Sequence, residues 1–119
     1  MVENASDCLE VRVTASSREE ADRICSAVVE ERMAADAQKI GPIASTYWWA
    51  GQIQHSEEWL LLMKTTVENF EGLARLVQEL HSYEVPQIVA VPLMAGTADY
   101  LEWIRRETEA PAGRGDVAE

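Results

Sequence analysis

The sequence predicts an α+β fold in which a four-stranded antiparallel sheet carries helices on one face. Three observations support this fold class. Apolar and polar residues alternate from Leu9 to Val13, as they do in a half-buried strand, and apolar residues recur at spacings of three and four over 70–80, as they do in an amphipathic helix. Segments of the two kinds also follow one another in the order β-α-β-β-α-β, with a further helix at the end. A chain of 119 residues has the size of one domain, which we place at residues 8–108.

A helix should follow the first strand directly. Ser17 and Glu20 have the capping-box spacing, in which a hydroxyl and a carboxylate three residues apart satisfy the free amides at a helix start. This helix should run to about Met33. Its buried positions should be Ala21, Ile24, Ala27 and Val28.

Two long strands should then form a hairpin. The second strand covers 37–49 and should be interrupted at Gly41-Pro42, because proline cannot donate a hydrogen bond to a neighbouring strand. Ala50-Gly51 should make the tight turn, and the third strand returns over 52–64. The hairpin therefore contains the most apolar part of the chain.

A second helix and a fourth strand follow the hairpin. Thr65 or Thr66 can cap this helix through its hydroxyl. The fourth strand should cover 88–91 and end at Pro92. The apolar stripe of the helix consists of Phe70, Leu73, Val77 and Leu80.

The last helix should begin at Gly96-Thr97 and carry Tyr100, Leu101 and Ile104 on one side. The complete order is the split β-α-β, or ferredoxin-like, arrangement. Residues 1–7 and 109–119 show no periodic pattern, so we expect flexible ends on either side of the domain.

The hairpin strands carry large apolar groups on both faces, which predicts self-association. Successive side chains of a strand point to opposite faces, and two helices cover only one face of the sheet. The other face must then meet a partner, and the simplest partner is another copy of this chain. The residues expected to lie at the subunit interface are Tyr47, Trp48, Trp49, Trp59 and Leu61.

Composition excludes several classes of partner. The chain has 10 Lys and Arg against 21 Asp and Glu, a net charge of −11, which repels nucleic acid and anionic membranes and favours cations. No apolar segment is long enough to cross a membrane. Cys8 and Cys25 lack CxxC spacing, and the N-terminus has neither a basic start nor an apolar signal segment. We therefore expect a cytoplasmic protein with reduced cysteines.

The sequence contains no signature of catalysis, and we expect no enzymatic activity and no catalytic residues. There is no glycine-rich phosphate loop, no HExxH and no GxSxG. Cys8 and Cys25 suit apolar positions of a strand and a helix. We expect Glu57-Glu58 to be a solvated surface rather than an acid and base pair, because the sequence places no nucleophile or histidine beside it.

Five segments and one glycine carry a resemblance to known proteins: residues 29–35 (VEERMAA), 47–53 (YWWAGQI), 62–65 (LMKT), 81–88 (HSYEVPQI) and 99–103 (DYLEW), together with Gly96. From about Leu9 to Glu107 the chain resembles the CutA1 or divalent-cation tolerance family. The resemblance implies a ferredoxin-like homotrimer, a role in divalent-cation tolerance, and copper as the candidate bound metal.

The copper ligands proposed in this family are largely missing from the matching positions. Relatives offer a cysteine where this chain has Val13, a second cysteine where it has Asp36, and two adjacent histidines where it has Leu80-His81. Only His81 remains as a candidate metal ligand, and a soft-metal site needs two or more thiolates or imidazoles. The alternative is that His81 caps the helix end or hydrogen-bonds Tyr83 or Glu84. We therefore expect weak, mostly oxygen-based metal binding.

The resemblance also places Lys64, Tyr83 and Glu84 near a cleft between subunits, together with His81. Such a cleft has the composition of a small-ligand pocket. The alternative is an interfacial polar network that fixes the subunit register. Two further functions remain open: a PII-like trimer that senses a nucleotide or metabolite, and a stable trimeric scaffold for other proteins. The first alternative is weakened because Met94-Ala95-Gly96-Thr97 is not a basic phosphate-binding loop.

Overall fold

The computed structural model describes residues 2–4 and 7–109, and their secondary structure follows the predicted order. The helices are α1 (Arg18–Glu30), α2 (Val67–Leu80) and α3 (Ala98–Glu107). The strands are β1 (Val2–Asn4), β2 (Cys8–Ala15), β3 (Asp36–Trp49), β4 (Gln52–Thr66), β5 (Ile88–Pro92) and β6 (Ala95–Thr97). From β2 to α3 the predicted order β-α-β-β-α-β-α is confirmed, apart from the short strand β6.

The main sheet has four antiparallel strands in the order β3-β4-β2-β5. The two strands that precede helices, β2 and β4, lie side by side at its centre. Val13, for example, lies opposite Leu61 on one side and Ile88 on the other. This is the ferredoxin-like arrangement, so the predicted fold class is confirmed.

The main core lies between the sheet and the helices α1 and α2. Where β2 and β4 pair, the odd-numbered residues over 11–15 and 59–63 point into it, because side chains alternate along a strand. Its fully buried members from the strands and helices include Val11, Val13, Ile24, Val28, Leu61, Met63, Leu73 and Val77. We call the opposite side of the sheet, which carries Glu10, Arg12, Gln38, Ile40, Leu62 and Val89, the open face.

One residue expected at a subunit interface lies instead in the packing of a single chain. Leu61 is 0% exposed within the main core, so no second chain can reach it. Trp59 packs against the same core but is only partly buried, so its place at an interface stays a prediction. The sequence could not show which residues of 59–63 face the core, because this run is apolar throughout and alternation then does not distinguish the two faces of the strand.

Helix α3 forms a second, smaller core with the start of β2. Cys8, Leu101 and Ile104 are fully buried together, with Trp103 packed against them. Cys8 alternates with the core-facing residues of β2, so α3 covers one end of the open face. The helix begins at Ala98 with Thr97 as its N-cap, one residue later than predicted.

The β3–β4 hairpin extends beyond the rest of the sheet. The register shifts between Ile40 and Ile43, where the sequence predicted an interruption at Gly41-Pro42. The tip turns at Ala50 (φ 53°) and Gly51 (φ 77°), a pair of left-handed residues that suits a two-residue hairpin turn. The predicted turn is therefore confirmed.

The two ends of the chain differ in how far the structure describes them. Residues 1–7 were expected to be flexible, yet Val2–Asn4 pairs with β6 as a small antiparallel ribbon. Residues 1, 5 and 6, and 110–119 of the predicted tail, lie outside the described residues. None of the helices in the described part of the chain has the length and apolar character needed to span a bilayer.

Candidate functional site

A pocket of about 740 Å³ opens at the end of the sheet from which the hairpin projects. Its walls come from the end of β2, from the hairpin, and from the loop that joins α2 to β5. We call it the Glu58 pocket. The lining residues that define its chemistry are Thr14, Tyr47, Trp49, Glu58, Tyr83 and Glu84.

His81 fixes the loop that forms one wall of this pocket. Helix α2 ends at Leu80, and the His81 ring is 0% exposed. Its Nδ1 accepts a hydrogen bond from the Tyr83 backbone N–H at 3.0 Å, so Nε2 is the protonated nitrogen and donates to the Thr14 carbonyl at 2.6 Å. The loop is thereby tied to the end of β2.

These hydrogen bonds correct the expectation that His81 is a metal ligand. Both ring nitrogens are occupied within the chain and the side chain is inaccessible, so no lone pair is free for a metal. The alternative interpretation, a hydrogen bond to Tyr83, is the one that the geometry supports. The other histidine, His55, lies on the hairpin with Nδ1 3.2 Å from the Thr46 hydroxyl.

A buried carboxylate, Glu20, holds the same loop to the start of α1. Its Oε1 accepts hydrogen bonds from the Ser16 N–H (2.8 Å) and hydroxyl (2.9 Å), and Oε2 accepts one from the Ser82 N–H at 2.6 Å. Burial by itself would raise the pKa of Glu20, but the hydrogen bonds from Ser16 and Ser82 lower it to about 2. The Ser17 hydroxyl accepts from the Glu20 N–H, which confirms the predicted cap.

Glu58 lines the pocket and pairs with Tyr83. The Tyr83 hydroxyl donates to Glu58 Oε2 at 2.8 Å, and Glu58 is only 5% exposed. Burial, and then the adjacent Glu58 carboxylate, raises the pKa of Tyr83 well above its usual range. The expectation that Glu57-Glu58 forms a solvated surface is therefore wrong for Glu58, although Glu57 is exposed.

The aromatic residues of the hairpin divide between its two faces. Tyr47 and Trp49 share the face of Ile43, which lies opposite Glu58, and they line the pocket. Trp48 points to the other face, where it lies opposite Ile53 and is 71% exposed. Tyr47, Trp48 and Trp49 thus remain accessible to a partner, but they do not form one continuous surface.

Lys64 lies at the other end of the sheet and does not join the pocket within one chain. It is six residues from Glu58 along β4, about 20 Å for an extended strand. Its ammonium donates to Gln38 Oε1 at 3.1 Å and lies 3.7 Å from Asp36 and 4.0 Å from Glu10. Within one chain, Tyr83 and Glu84 therefore lie at one end of the sheet and Lys64 at the other, and the expected cleft between subunits stays a prediction.

The described residues of one chain do not assemble a metal centre. Within residues 7–109, no group of three or more His, Cys, Asp and Glu side chains converges as a metal site requires. Cys8 and Cys25 are both buried and neither forms a disulfide, and they belong to the two different cores. Burial raises the pKa of the Cys25 thiol, which disfavours the thiolate that a metal would bind.

Comparison with known proteins gives one consistent result. The family model described as CutA1 divalent ion tolerance protein matches residues 9–107. The divalent-cation tolerance protein CutA of Thermus thermophilus is 43% identical over 98 residues, which cover 82% of this chain and 95% of that protein. Human protein CutA is 38% identical over 98 residues, 82% of this chain but 55% of that protein. The chain thus spans about half the length of its human relative.

Solved structures show the same similarity in three dimensions. The Thermus thermophilus divalent cation tolerance protein superposes with a TM-score of 0.84 at 41% identity, covering 86% of this chain and 99% of the other. CutA of Synechococcus elongatus superposes with a TM-score of 0.86 at 29% identity, covering 92% and 96%. The similarity therefore covers most of the chain and nearly all of each relative.

Proposed function

The chain belongs to the CutA1 divalent ion tolerance family, and from that premise we propose that it acts as a homotrimer in the tolerance of divalent cations, copper among them. The observation that carries this proposal is the family match over residues 9–107 together with 43% identity to a protein named for divalent-cation tolerance. Nothing in the pocket favours an enzyme, so we propose a role without catalysis.

The exposed apolar residues support the trimer. Ile40 and Val89 are each 49% exposed on the open face, and Trp48 is 71% exposed on the hairpin. β3 and β5 are also the edges of the sheet, where backbone groups are available for pairing with another chain. A second and third copy would cover this surface, which a lone domain leaves in water. The proposed interface consists of the open face and the accessible aromatic residues Tyr47, Trp48 and Trp49.

Weak metal binding fits the ligands that the chain presents. The buried His81 and the two buried cysteines offer nothing accessible to copper, whereas the net charge of −11 reflects an excess of carboxylates. Carboxylates prefer hard cations, and tight copper sites need imidazole or thiolate. We therefore propose that any contribution to copper tolerance proceeds through weak, oxygen-based binding or through an indirect role.

The two alternatives have less support. A PII-like nucleotide sensor needs positive charge for phosphate groups, but the charged residues lining the Glu58 pocket are Glu58 and Glu84. No surface of the described residues specifically indicates a scaffold. We propose a cytoplasmic location because neither cysteine forms a disulfide, although relatives named chloroplastic or periplasmic occur in the family.

A growth experiment tests the proposed role. A strain lacking the gene should grow more slowly than its parent as copper in the medium is increased, and the wild-type gene should restore growth. Growth of the deletion strain with magnesium or sodium at equal ionic strength is the control. Identical growth of the deletion strain and its parent at every copper concentration would contradict a role in copper tolerance.

A further inference from the structure

Glu20 and His81 are two ionisable side chains buried inside a single chain. The His81 ring is 0% exposed and the Glu20 side chain is 3% exposed. A neighbouring subunit therefore reaches neither of them, and their surroundings are those that one chain provides. Glu20 lies in the first turn of α1, whereas His81 directly follows α2 and begins the loop over 81–87 that leads to β5. We call this segment the 81–87 loop.

The carboxylate and the imidazole lie close together without a hydrogen bond between them. Glu20 Oε2 is 3.9 Å from His81 Nδ1, and that nitrogen accepts a hydrogen bond from the Tyr83 N–H. Glu20 Oε2 in turn accepts a hydrogen bond from the Ser82 N–H. Two successive amides of the 81–87 loop are thus held by two neighbouring side chains, one amide by each.

The groups around His81 offer negative charge and no competing cation. Among the described residues, the recorded ion pairs bring no Lys or Arg to Glu20 or His81. From β2 the ring contacts the uncharged Thr14 carbonyl, and from its own loop the Tyr83 ring, at a centroid distance of 4.8 Å. Beyond Tyr83, its hydroxyl leads to the Glu58 carboxylate of β4. The free carbonyls at the end of α2 add partial negative charge.

A second proton on His81 is incompatible with the observed hydrogen bonds. Protonated Nδ1 is a donor, so the Tyr83 N–H then loses its acceptor. Glu20 Oε2, 3.9 Å away, is the ionised acceptor that the new N–H can approach. Burial raises the pKa of Glu20, yet the hydrogen bonds from Ser16 and Ser82 lower it to about 2, so this carboxylate stays charged in mildly acidic solution.

We propose that Glu20 and His81 form a proton-controlled latch for the 81–87 loop. With neutral His81 the loop is closed, because the Ser82 and Tyr83 amides are both bonded. One proton taken from solvent by Nδ1 turns His81 towards Glu20, and the two amides lose these bonds. Histidine ordinarily changes its charge between about pH 5 and pH 8, which sets the range of the switch. The latch goes beyond a role in metal tolerance and does not depend on it.

Nitrogen-15 NMR of the intact protein follows both parts of the latch in one sample. The ring nitrogen shifts distinguish the neutral Nε2–H form of histidine from the imidazolium, and the amide signals of Ser82 and Tyr83 report the loop. From about pH 8 to pH 5, His81 should become an imidazolium, and both amide signals should shift with the same midpoint. The exposed His55 is the internal control, and a His55→Gln variant identifies its ring signals.

Matched variants locate the latch. Glu20→Gln keeps the size of the side chain but removes the charge, so the midpoint of both signals should move to lower pH by about one unit or more. Glu19→Gln removes the same charge from the adjacent, exposed position and should leave the midpoint unchanged. His81→Asn keeps an acceptor for the Tyr83 N–H but does not titrate, so the amide signals should no longer respond. Urea unfolding confirms that each variant is folded.

The wild-type titration alone decides the proposal if a variant does not fold. The latch is overturned if His81 stays neutral down to about pH 5, or if it becomes an imidazolium while the Ser82 and Tyr83 amide signals do not move. It is equally overturned if Glu20→Gln and Glu19→Gln titrate alike, or if the amide response persists in His81→Asn. A common midpoint that is lowered only by Glu20→Gln supports it.

Discussion

Gly41 lies directly against the indole ring of Trp59 across the β3–β4 hairpin. A Cβ placed on Gly41 would be 2.7 Å from Trp59 Cγ, closer than real Cβ contacts. The glycine stands where the strand register shifts, at the base of the projecting hairpin. The direction in which the hairpin leaves the sheet therefore depends on the absence of a side chain at this position.

Gly41→Ala should lower the free energy of unfolding by about 1 to 3 kcal/mol, because the added methyl group overpacks this contact. Urea denaturation monitored by circular dichroism measures the change. The double variant Gly41→Ala with Trp59→Leu should lose less stability than the sum of the two single variants, since the smaller side chain relieves the clash. If the losses in free energy of unfolding of the two single variants simply add in the double variant, the contact with Trp59 is not what makes alanine unfavourable at position 41.

Tyr83→Phe should destabilise the protein by about 1 to 3 kcal/mol, because it leaves the buried Glu58 carboxylate without its donor. Tyr47→Phe is the matched control, since the Tyr47 hydroxyl accepts an exposed hydrogen bond from Ser56 at 3.2 Å. That control should change stability by about 0.5 kcal/mol or less. Equal losses of stability in the two variants would mean that the hydrogen bond from Tyr83 to Glu58 does not stabilise the fold.

Glu20 should make the protein sensitive to acid. Its pKa is about 2 in the folded state against 4.5 as the ordinary value, so its contribution is present above pH 4.5 and is lost as the pH falls towards 2. At pH 7, Glu20→Gln should cost about 2 to 3 kcal/mol, and this difference from wild type should shrink steadily below pH 4.5. Denaturation at several pH values measures it. A difference that stays constant from pH 7 to pH 3 would contradict this account.

Copper binding should be weak, and it should not depend on Cys8, Cys25 or His81. Titration with Cu(II) should give about micromolar affinity or weaker, largely removed by salt, because the accessible ligands are carboxylates and the single imidazole of His55, whereas a tight site needs several soft ligands together. Cys8→Ser and Cys25→Ser should not change it, since both thiols are buried. His81→Ala should lower stability by about 1 to 3 kcal/mol through the lost hydrogen bonds while leaving copper affinity unchanged. A nanomolar, salt-resistant site abolished by His81→Ala would show that subunits assemble a site around it.

The element order was predictable because it is encoded locally. The Ser17 cap, the turn at Ala50-Gly51 and the break at Gly41-Pro42 each depend on residues close together in the sequence. The short ribbon of β1 and β6 was not predicted, since three residues are too few to show a strand pattern.

The candidate site was less predictable, because its contacts connect distant parts of the chain. Glu58 is buried by Tyr83, 25 residues later, and His81 bonds to Thr14, 67 residues earlier. Neighbouring residues give no signal of such pairings. The sequence offered one indication that Glu58 is not simply solvated. Alternation along β4 puts Glu58 on the same face of the strand as the apolar residues Leu60 and Leu62, which is the open face of the sheet.

Sedimentation equilibrium of the wild-type protein at micromolar concentration, beside an Ile40→Lys variant, tests the proposed trimer most directly. The account predicts a mass of about three times 13.3 kDa for the wild type, and a shift towards the monomer for Ile40→Lys, which places a charge on the open face. Val67→Lys, at a 57% exposed site on α2, is the control that should remain trimeric. A stable wild-type monomer, or a trimer insensitive to Ile40→Lys, would contradict an assembly through the open face.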